Sequence, residues 1–245
     1  MSLYATAGLK LYIGEVIAQK SENFAEADFS SQTWVRIGQL ENLGNLGDAA
    51  QGISIDLIDE ARSKTLKGTR SAGNMEVVCG ADMDDLGQSA VIAAEKRPFD
   101  FGFLLVMNDR PPEKSSTATI TIASPGVVTW SGGNHGRRAG DKVKFSTTGA
   151  LPSGIVAETA YYVLSTGLTS DSFRISETDG GSAVGTSGTQ SGVHTVTTVP
   201  ENSKRMFIAK VMSVNEVFDS ANNVRKLNFA LGVNSNIVRV AATVS

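Results

Sequence analysis

The sequence predicts a mainly β fold: a sandwich or barrel with one flanking α-helix, into which a second, small β domain is inserted. Three observations lead there. Glycine is frequent, at 25 of 245 residues, and short β-prone runs alternate with turn residues along most of the chain. A single stretch, following Gly80, carries helical periodicity. Between Ile120 and Val199, Ser, Thr and Gly fill 37 positions while five acidic and five basic residues cancel, a texture unlike that of the flanks. The length suffices for one large β domain or two smaller ones, each with a buried core.

Residues 1–32 read as an arm. Leu9 to Ile17 supplies one short strand, broken by Gly14, and the polar second half has little to anchor it. If that half packs, a neighbouring subunit is the expected support. Trp34, Val35 and Ile37 open the first firm strand, which runs into a loop at Gly44 and Gly47. Gln51 to Ile58 forms the next, with Ile53, Ile55 and Leu57 on one face and Ser54 and Asp56 on the other. From Asp59 to Gly73 the chain reads as a long exposed loop. Arg62, Lys64, Lys67 and Arg70 stand on it with Leu66 the one large apolar residue among them. Two readings stay open for this loop: a solvated hairpin tip, or a contact surface for an acidic partner, another copy of the chain included.

Met75 to Cys79 is a short apolar strand. Asp82 and Asp85 then supply helix N-terminal charge, and Lys96, Arg97 and Pro98 end the helix. Met83, Leu86, Ala90 and Ala94 make its apolar stripe. Phe99, Phe101, Phe103, Leu105 and Met107 recur with a period of two, a sheet face that the helix is expected to cover. The helix packing set is therefore Met83, Leu86, Ala90 and Ala94 against Phe101 and Phe103.

Asn108 to Lys114, with two prolines, marks a boundary. The main domain is expected at 1–113 and 200–245, the inserted module at 114–199. Within the module, short runs at Ala118–Ile122, Lys142–Phe145, Ala160–Leu164, Phe173–Ile175 and Val193–Thr198 suffice for a small sandwich or barrel. The main domain resumes at Arg205–Val214. Met206, Ile208, Met212 and Val214 share one face of this strand and Phe207, Ala209 and Val211 the other, so it is either central or in contact with another subunit. Val224–Leu231 alternates cleanly, and Ile237–Ala242 is expected to pair on a sheet edge or on a neighbour.

The chemistry of an enzyme is missing from the sequence. No HExxH, GxSxG, Walker loop or GxGxxG is present. His135 and His194 lie in the module, away from the single cysteine, Cys79, so no zinc ligand set and no cofactor is expected. Cys79 reads as a small buried hydrophobe. Asp82, Asp84 and Asp85 read as helix N-terminal charge, and Gly132 to Arg138 as a turn. The net charge of −3 gives no basic surface for wrapping nucleic acid. The N-terminus lacks the pattern of a signal peptide and no window approaches a membrane span, so folding in a cytoplasm, with no membrane insertion, is expected.

Two groups of segments carry a family resemblance. The first is ISIDLIDEARSKTLKGTRSAGNMEVVCG followed by DMDDLGQSAVIAAEKRPFDFGFLLVMND. The second is the returning RMFIAKVMSVNEVF and VRKLNFALGVNSNIV. In order and texture they resemble the major tail tube protein of long, non-contractile tailed bacteriophages, over about residues 1–113 and 200–245. The block containing GDKVKFSTTGALPSGIVAETAYYVLSTG is similar to small β modules grafted onto phage structural proteins.

The resemblance implies a structural virion protein and not an enzyme. Its hexameric rings stack into a tail tube, a conduit for double-stranded DNA ejected into the host. Tail terminator, tape measure and distal tail proteins are the implied partners, and the implied location is the virion tail, reached from the host cytoplasm. Residues 59–73, with Arg62, Lys64, Leu66, Lys67 and Arg70, would be the inter-ring loop, and Phe207, Ala209 and Val211 an inter-subunit sheet or core. The module would decorate the outside, since in the lumen it would block passage. A tail-associated adaptor or a receptor- or glycan-binding module is the alternative.

Overall fold

The computed structural model describes residues 3–21 and 23–243. Among these the strands are β1 (Lys10–Val16), β2 (Val35–Ile37), β3 (Leu40–Asn42), β4 (Ala49–Ile55), β5 (Lys64–Ser71), β6 (Asn74–Gly80) and β7 (Phe101–Val106). Then come β8 (Ser115–Ile120), β9 (Val128–Trp130), β10 (Lys142–Thr147), β11 (Tyr161–Val163), β12 (Ser172–Phe173), β13 (Ile175–Ser176) and β14 (His194–Thr198). The last three are β15 (Lys204–Val217), β16 (Lys226–Val233) and β17 (Val238–Val240). The one α-helix, α1, spans Leu86–Glu95. The chain is mainly β with one helix, as its sequence implies.

Two units divide the chain: Met1–Asn108 with Ser203–Ala241, and Asp109–Asn202 with Ala242–Ser245. In the first, an antiparallel sheet runs β2-β1-β7-β15-β16-β6-β3, with β17 continuing on β15 where β16 has ended. Its two outermost strands, β2 and β3, are separated in sequence only by Gly38 and Gln39. One short segment therefore belongs to both edges of the sheet and draws it into a nearly closed barrel, which removes the exposed edges a long open sheet would present. Gln39 takes a positive φ of 54° at this corner, a local cost accepted to make the two-residue turn.

The barrel interior is filled. Phe103, Phe207 and Phe229 meet there with Leu11, Ile13, Ile37, Met75 and Leu231, all buried. Phe103 and Phe207 are paired across β7 and β15 and stack with ring centroids 5.7 Å apart. Each such ring contributes roughly 2–3 kcal/mol by leaving water. β15 is apolar on both faces because it is central: Phe207, Ala209 and Val211 point into this interior. Met206 and Ile208 face outward under Phe24, Phe29 and Trp34. The expectation of a poorly anchored N-terminal arm is thus overturned. β1 is paired on both sides, by β2 and β7, and Phe24 and Phe29 (the second in a 3-10 turn, Glu26–Phe29) cover the outer face of the same chain. Glu22, between them and β1, lies outside the described residues.

The helix differs from its expected stripe. Asp85, not Asp82, is its N-cap, accepting the Gln88 N–H at 2.8 Å. Met83 precedes the helix and is 70% exposed, and Leu86, its first residue, is 77% exposed. The buried face is Gly87, Gln88, Val91 and Ala94, with Ala90 half-buried beside it. The physical reason is the barrel seam. Asp85 accepts the Gly38 N–H at 3.0 Å, while the Gln88 side-chain amide donates to the carbonyls of Gly80 at 2.9 Å and Gly38 at 3.4 Å. The first turn of α1 clasps the segment joining the two sheet edges, so its polar residues are buried and bonded there. Val91 and Ala94 then join the interior cluster with Phe101 and Phe103, as the sequence led one to expect for Ala94 and both phenylalanines.

The second unit repeats the device. Its antiparallel sheet runs β12-β9-β8-β14-β10-β11-β13, and the two end strands are separated only by Arg174. Ala118, Trp130, Phe145, Tyr161, Phe173 and Val196 are among the residues of its own core. The unit boundaries fall at Asn108/Asp109 and Asn202/Ser203, so the second unit is five residues longer at its start and three at its end than the expected 114–199. In the first unit the chain leaves and returns at directly paired positions, Val106 and Lys204 on β7 and β15, with the Met107 N–H donating to Ser203 O at 2.9 Å. In the second, the Thr198 N–H donates to Lys114 O at 2.8 Å. Each unit therefore brings its own two ends together, the arrangement an inserted domain requires.

Candidate assembly interface

Strands β4 and β5 pair only with each other. They form a two-stranded ribbon, and every residue of β4 is exposed. This corrects the reading of 59–73 as a loop: its larger part, Lys64 to Ser71, is the second strand of the ribbon. The true tip is shorter, Asp56 to Ser63, with a turn in which the Glu60 N–H donates to Leu57 O at 3.2 Å. A bulge sets Gln51 against Gly68 and Thr69, since Ala50 pairs with Arg70 but Gly52 with Lys67.

Register fixes what each face offers. Ile53 is opposite Leu66 and Ile55 opposite Lys64, on one face; Ser54 is opposite Thr65 and Gly52 opposite Lys67, on the other. The first face is apolar, yet Ile53 is 50% and Leu66 53% exposed, and Ile58 at the tip is fully exposed. A two-stranded ribbon standing alone is marginal in water. Nothing among the described residues covers this apolar face.

The charges of the ribbon are not simply repulsive. Lys64 pairs with Glu60 at 2.5 Å and Arg70 with Asp48 at 2.8 Å. Arg62 and Lys67 form no ion pair among the described residues. Of these four cations two are thus paired and two, among the described residues, are not, and both pairs lie at the surface, where each contributes little to stability. Phe207, Ala209 and Val211 take the core half of the sequence expectation, being buried inside the barrel.

Elsewhere, the polar residues singled out by sequence are structural. Cys79 is buried, its Sγ toward Leu227 O at 3.4 Å, and burial, with the Asp85 charge adding to it, pushes the thiol up to about 11. In the Gly132–Arg138 turn, His135 Nδ1 accepts the Arg137 N–H at 2.8 Å, so the ring proton sits on Nε2. The ring lies edge-on to Phe173 at 5.1 Å, and burial lowers its pKa. Arg137 is folded back, donating from Nε to His135 O at 3.0 Å, with a side chain only 2% exposed. This turn is a plug of the module core. His194 bonds to Thr147 and Gln190 at 2.9 and 3.0 Å. Lys142 and Glu201 form a close pair; burial works against the lysine charge, but Glu201 outweighs it and the Lys142 pKa is raised.

Among the described residues no three His, Cys, Asp or Glu side chains are placed to hold a metal ion, and no helix is long and apolar enough to cross a membrane. Sequence reasoning found the first strand, expected at 51–58 and present at Ala49–Ile55, and its facing through Ile53 and Ile55, but placed Leu57 on the strand when it lies in the tip and missed the second strand. Lys64–Ser71 has one large apolar residue in eight, and a strand exposed on both sides leaves no apolar alternation to read. No known family and no curated protein sequence matches this chain.

Proposed function

We propose that this chain is a structural subunit that assembles with copies of itself into stacked rings, hexameric by the resemblance to tail tube proteins, forming the tube of a phage tail. The observation that carries the reading is the ribbon: an amphipathic two-stranded projection with an apolar face that its own fold leaves in water. A surface of that kind is stabilised by covering it, and a repeated copy is the cover always at hand during assembly. The residues offered for inter-ring contact are Arg62, Lys64, Leu66, Lys67 and Arg70 with Ile53 and Ile55 beside them.

The filled barrel bears on the conduit. Packed phenylalanines leave no passage through a subunit, so double-stranded DNA would travel between subunits, down the axis of a ring. A net charge of −3 suits a lumen that duplex must slide past without adhering. In this reading the module decorates the outside, and terminator, tape measure and distal tail proteins meet the tube at its ends. Electron microscopy of the purified full chain tests it: hollow stacked rings support the proposal, while compact closed oligomers favour an adaptor or receptor-binding role and overturn it.

A further inference from the structure

At the base of the ribbon lies a groove of about 630 Å³. Its lining is mostly polar and includes Asp48; Phe24, Val233 and Ile237 show only a little apolar surface at its floor, each being under a tenth exposed, and Lys20, Arg70 and Arg239 add positive charge. Lys20 holds Asp28 at 2.5 Å and Arg70 holds Asp48, but Arg239 has no ion pair among the described residues. Moreover, Arg239 on β17 is paired directly opposite Arg205 on β15. Like charges in directly opposed positions destabilise a sheet unless an anion sits near them.

The opposite end of the ribbon has the complementary character. Ile58 stands in the tip turn, wholly exposed, flanked by Asp56, Asp59 and Glu60. Asp56 and Asp59 form no ion pair among the described residues. The carboxylates around Ile58 at one end thus face a cation-bearing groove, polar but floored by Phe24 and Ile237, at the other. Within one chain they cannot meet: from Ala49 at the base to Ile58 is nine residue steps, roughly 30 Å of extended strand.

Resting on the self-assembly reading above, we propose that the groove is the socket for the ribbon tip of the next copy, Ile58 seating against Phe24 and Ile237 while Asp59 meets Arg239. The contact is heterologous, one end of the ribbon on the other, and so propagates along the ribbon direction. Each step advances the assembly by about the ribbon's length, roughly 30 Å.

Two substitutions in the full chain test this. Ile58→Cys and Asn23→Cys place one thiol at the tip and one in the groove, and Cys79 is buried and does not compete. On mild oxidation of assembled protein, the double variant is expected to give a ladder of covalently linked multimers on a non-reducing gel, and neither single variant more than dimers. Separately, Arg239→Glu should raise the concentration needed for stacking at least tenfold, and adding Asp59→Arg to the same chain should restore it. Tubes that form normally but give no ladder, and are indifferent to Arg239→Glu, would overturn the socket and leave stacking intact. Wild-type chain that forms no stacked particles would overturn the assembly reading and the socket with it.

Discussion

Gly87→Ala is the most exacting test of how this barrel is closed. In an exposed helix the change would be favourable by about 1 kcal/mol, because alanine loses less backbone freedom than glycine. Here a Cβ on residue 87 would lie 2.1 Å from Arg36 O, 2.6 Å from Arg36 C and 2.7 Å from Ile37 Cα. All three are backbone atoms of β2, so no side chain can swing aside. The helix must lift from the seam by about an ångström, loosening Val91 and Ala94 in the core and stretching the Asp85 and Gln88 bonds to Gly38. Overpacking of this kind costs about 1–3 kcal/mol, and each weakened buried hydrogen bond about 1 more. Set against the propensity gain, a net loss of about 2–4 kcal/mol is expected. For a unit of this size that lowers the melting temperature by roughly 5–15 °C. Ser89→Ala, on the exposed face of the same helix, serves as the control and should be neutral or slightly stabilising. Calorimetry or urea unfolding of both variants decides it: a Gly87→Ala chain as stable as wild type would refute the clasp between helix and seam.

Three further outcomes are expected. Replacing residues 109–202 with a short Gly/Ser turn should leave the first unit folded, because its two ends are already paired at Val106 and Lys204; loss of the folded barrel in circular dichroism would count against two separable units. His135 has a folded pKa below its usual 6.5, so the module's stability is undiminished above pH 6.5 and falls as pH drops through 6.5 toward the folded value. The module's melting transition should follow that course, and in His135→Gln, where the side-chain oxygen can still accept the Arg137 N–H, the His135-dependent part of the fall should vanish. Cys79 should resist a thiol reagent at pH 8 in the native protein and react fully in denaturant; rapid native labelling would contradict its burial.

The parts of the fold legible in the sequence are those with clear apolar patterning. β7 and β16 announced themselves by four or more residues of alternation, β15 by apolar residues on both faces and β6 by a short apolar run. The closing devices did not announce their role. Trp34–Ile37 and Phe173–Ile175 read as β runs and overlap β2, β12 and β13, and β3 does not read as a strand at all, but these strands are two or three residues long and their importance comes from position: each pair sits at the two ends of a sheet. The helix misled for a related reason. Its buried residues near the seam are Gly87 and Gln88, chosen for close approach and hydrogen bonding, so a search for an apolar stripe settled on Met83 and Leu86 instead. Phe24 and Phe29 were hidden in a polar segment whose partner face, on β15, is far away in sequence. In the candidate interface the cations were legible one by one, but their neutralisation by Glu60 and Asp48 depends on turn and register geometry that no local pattern encodes.

The central claim is that the ribbon's apolar face drives assembly while contributing little to the fold of the single chain. Sedimentation velocity of wild type beside Ile53→Ser/Leu66→Ser, each over a range of concentrations and paired with a thermal melt, tests it most directly. The expected result is large, concentration-dependent particles from the wild type, and from the double variant nothing larger than a single ring, with a barrel that melts within about 1 °C of wild type, since surface changes away from a core are near neutral. Particles of equal size from both chains, or a double variant that no longer folds, would contradict it.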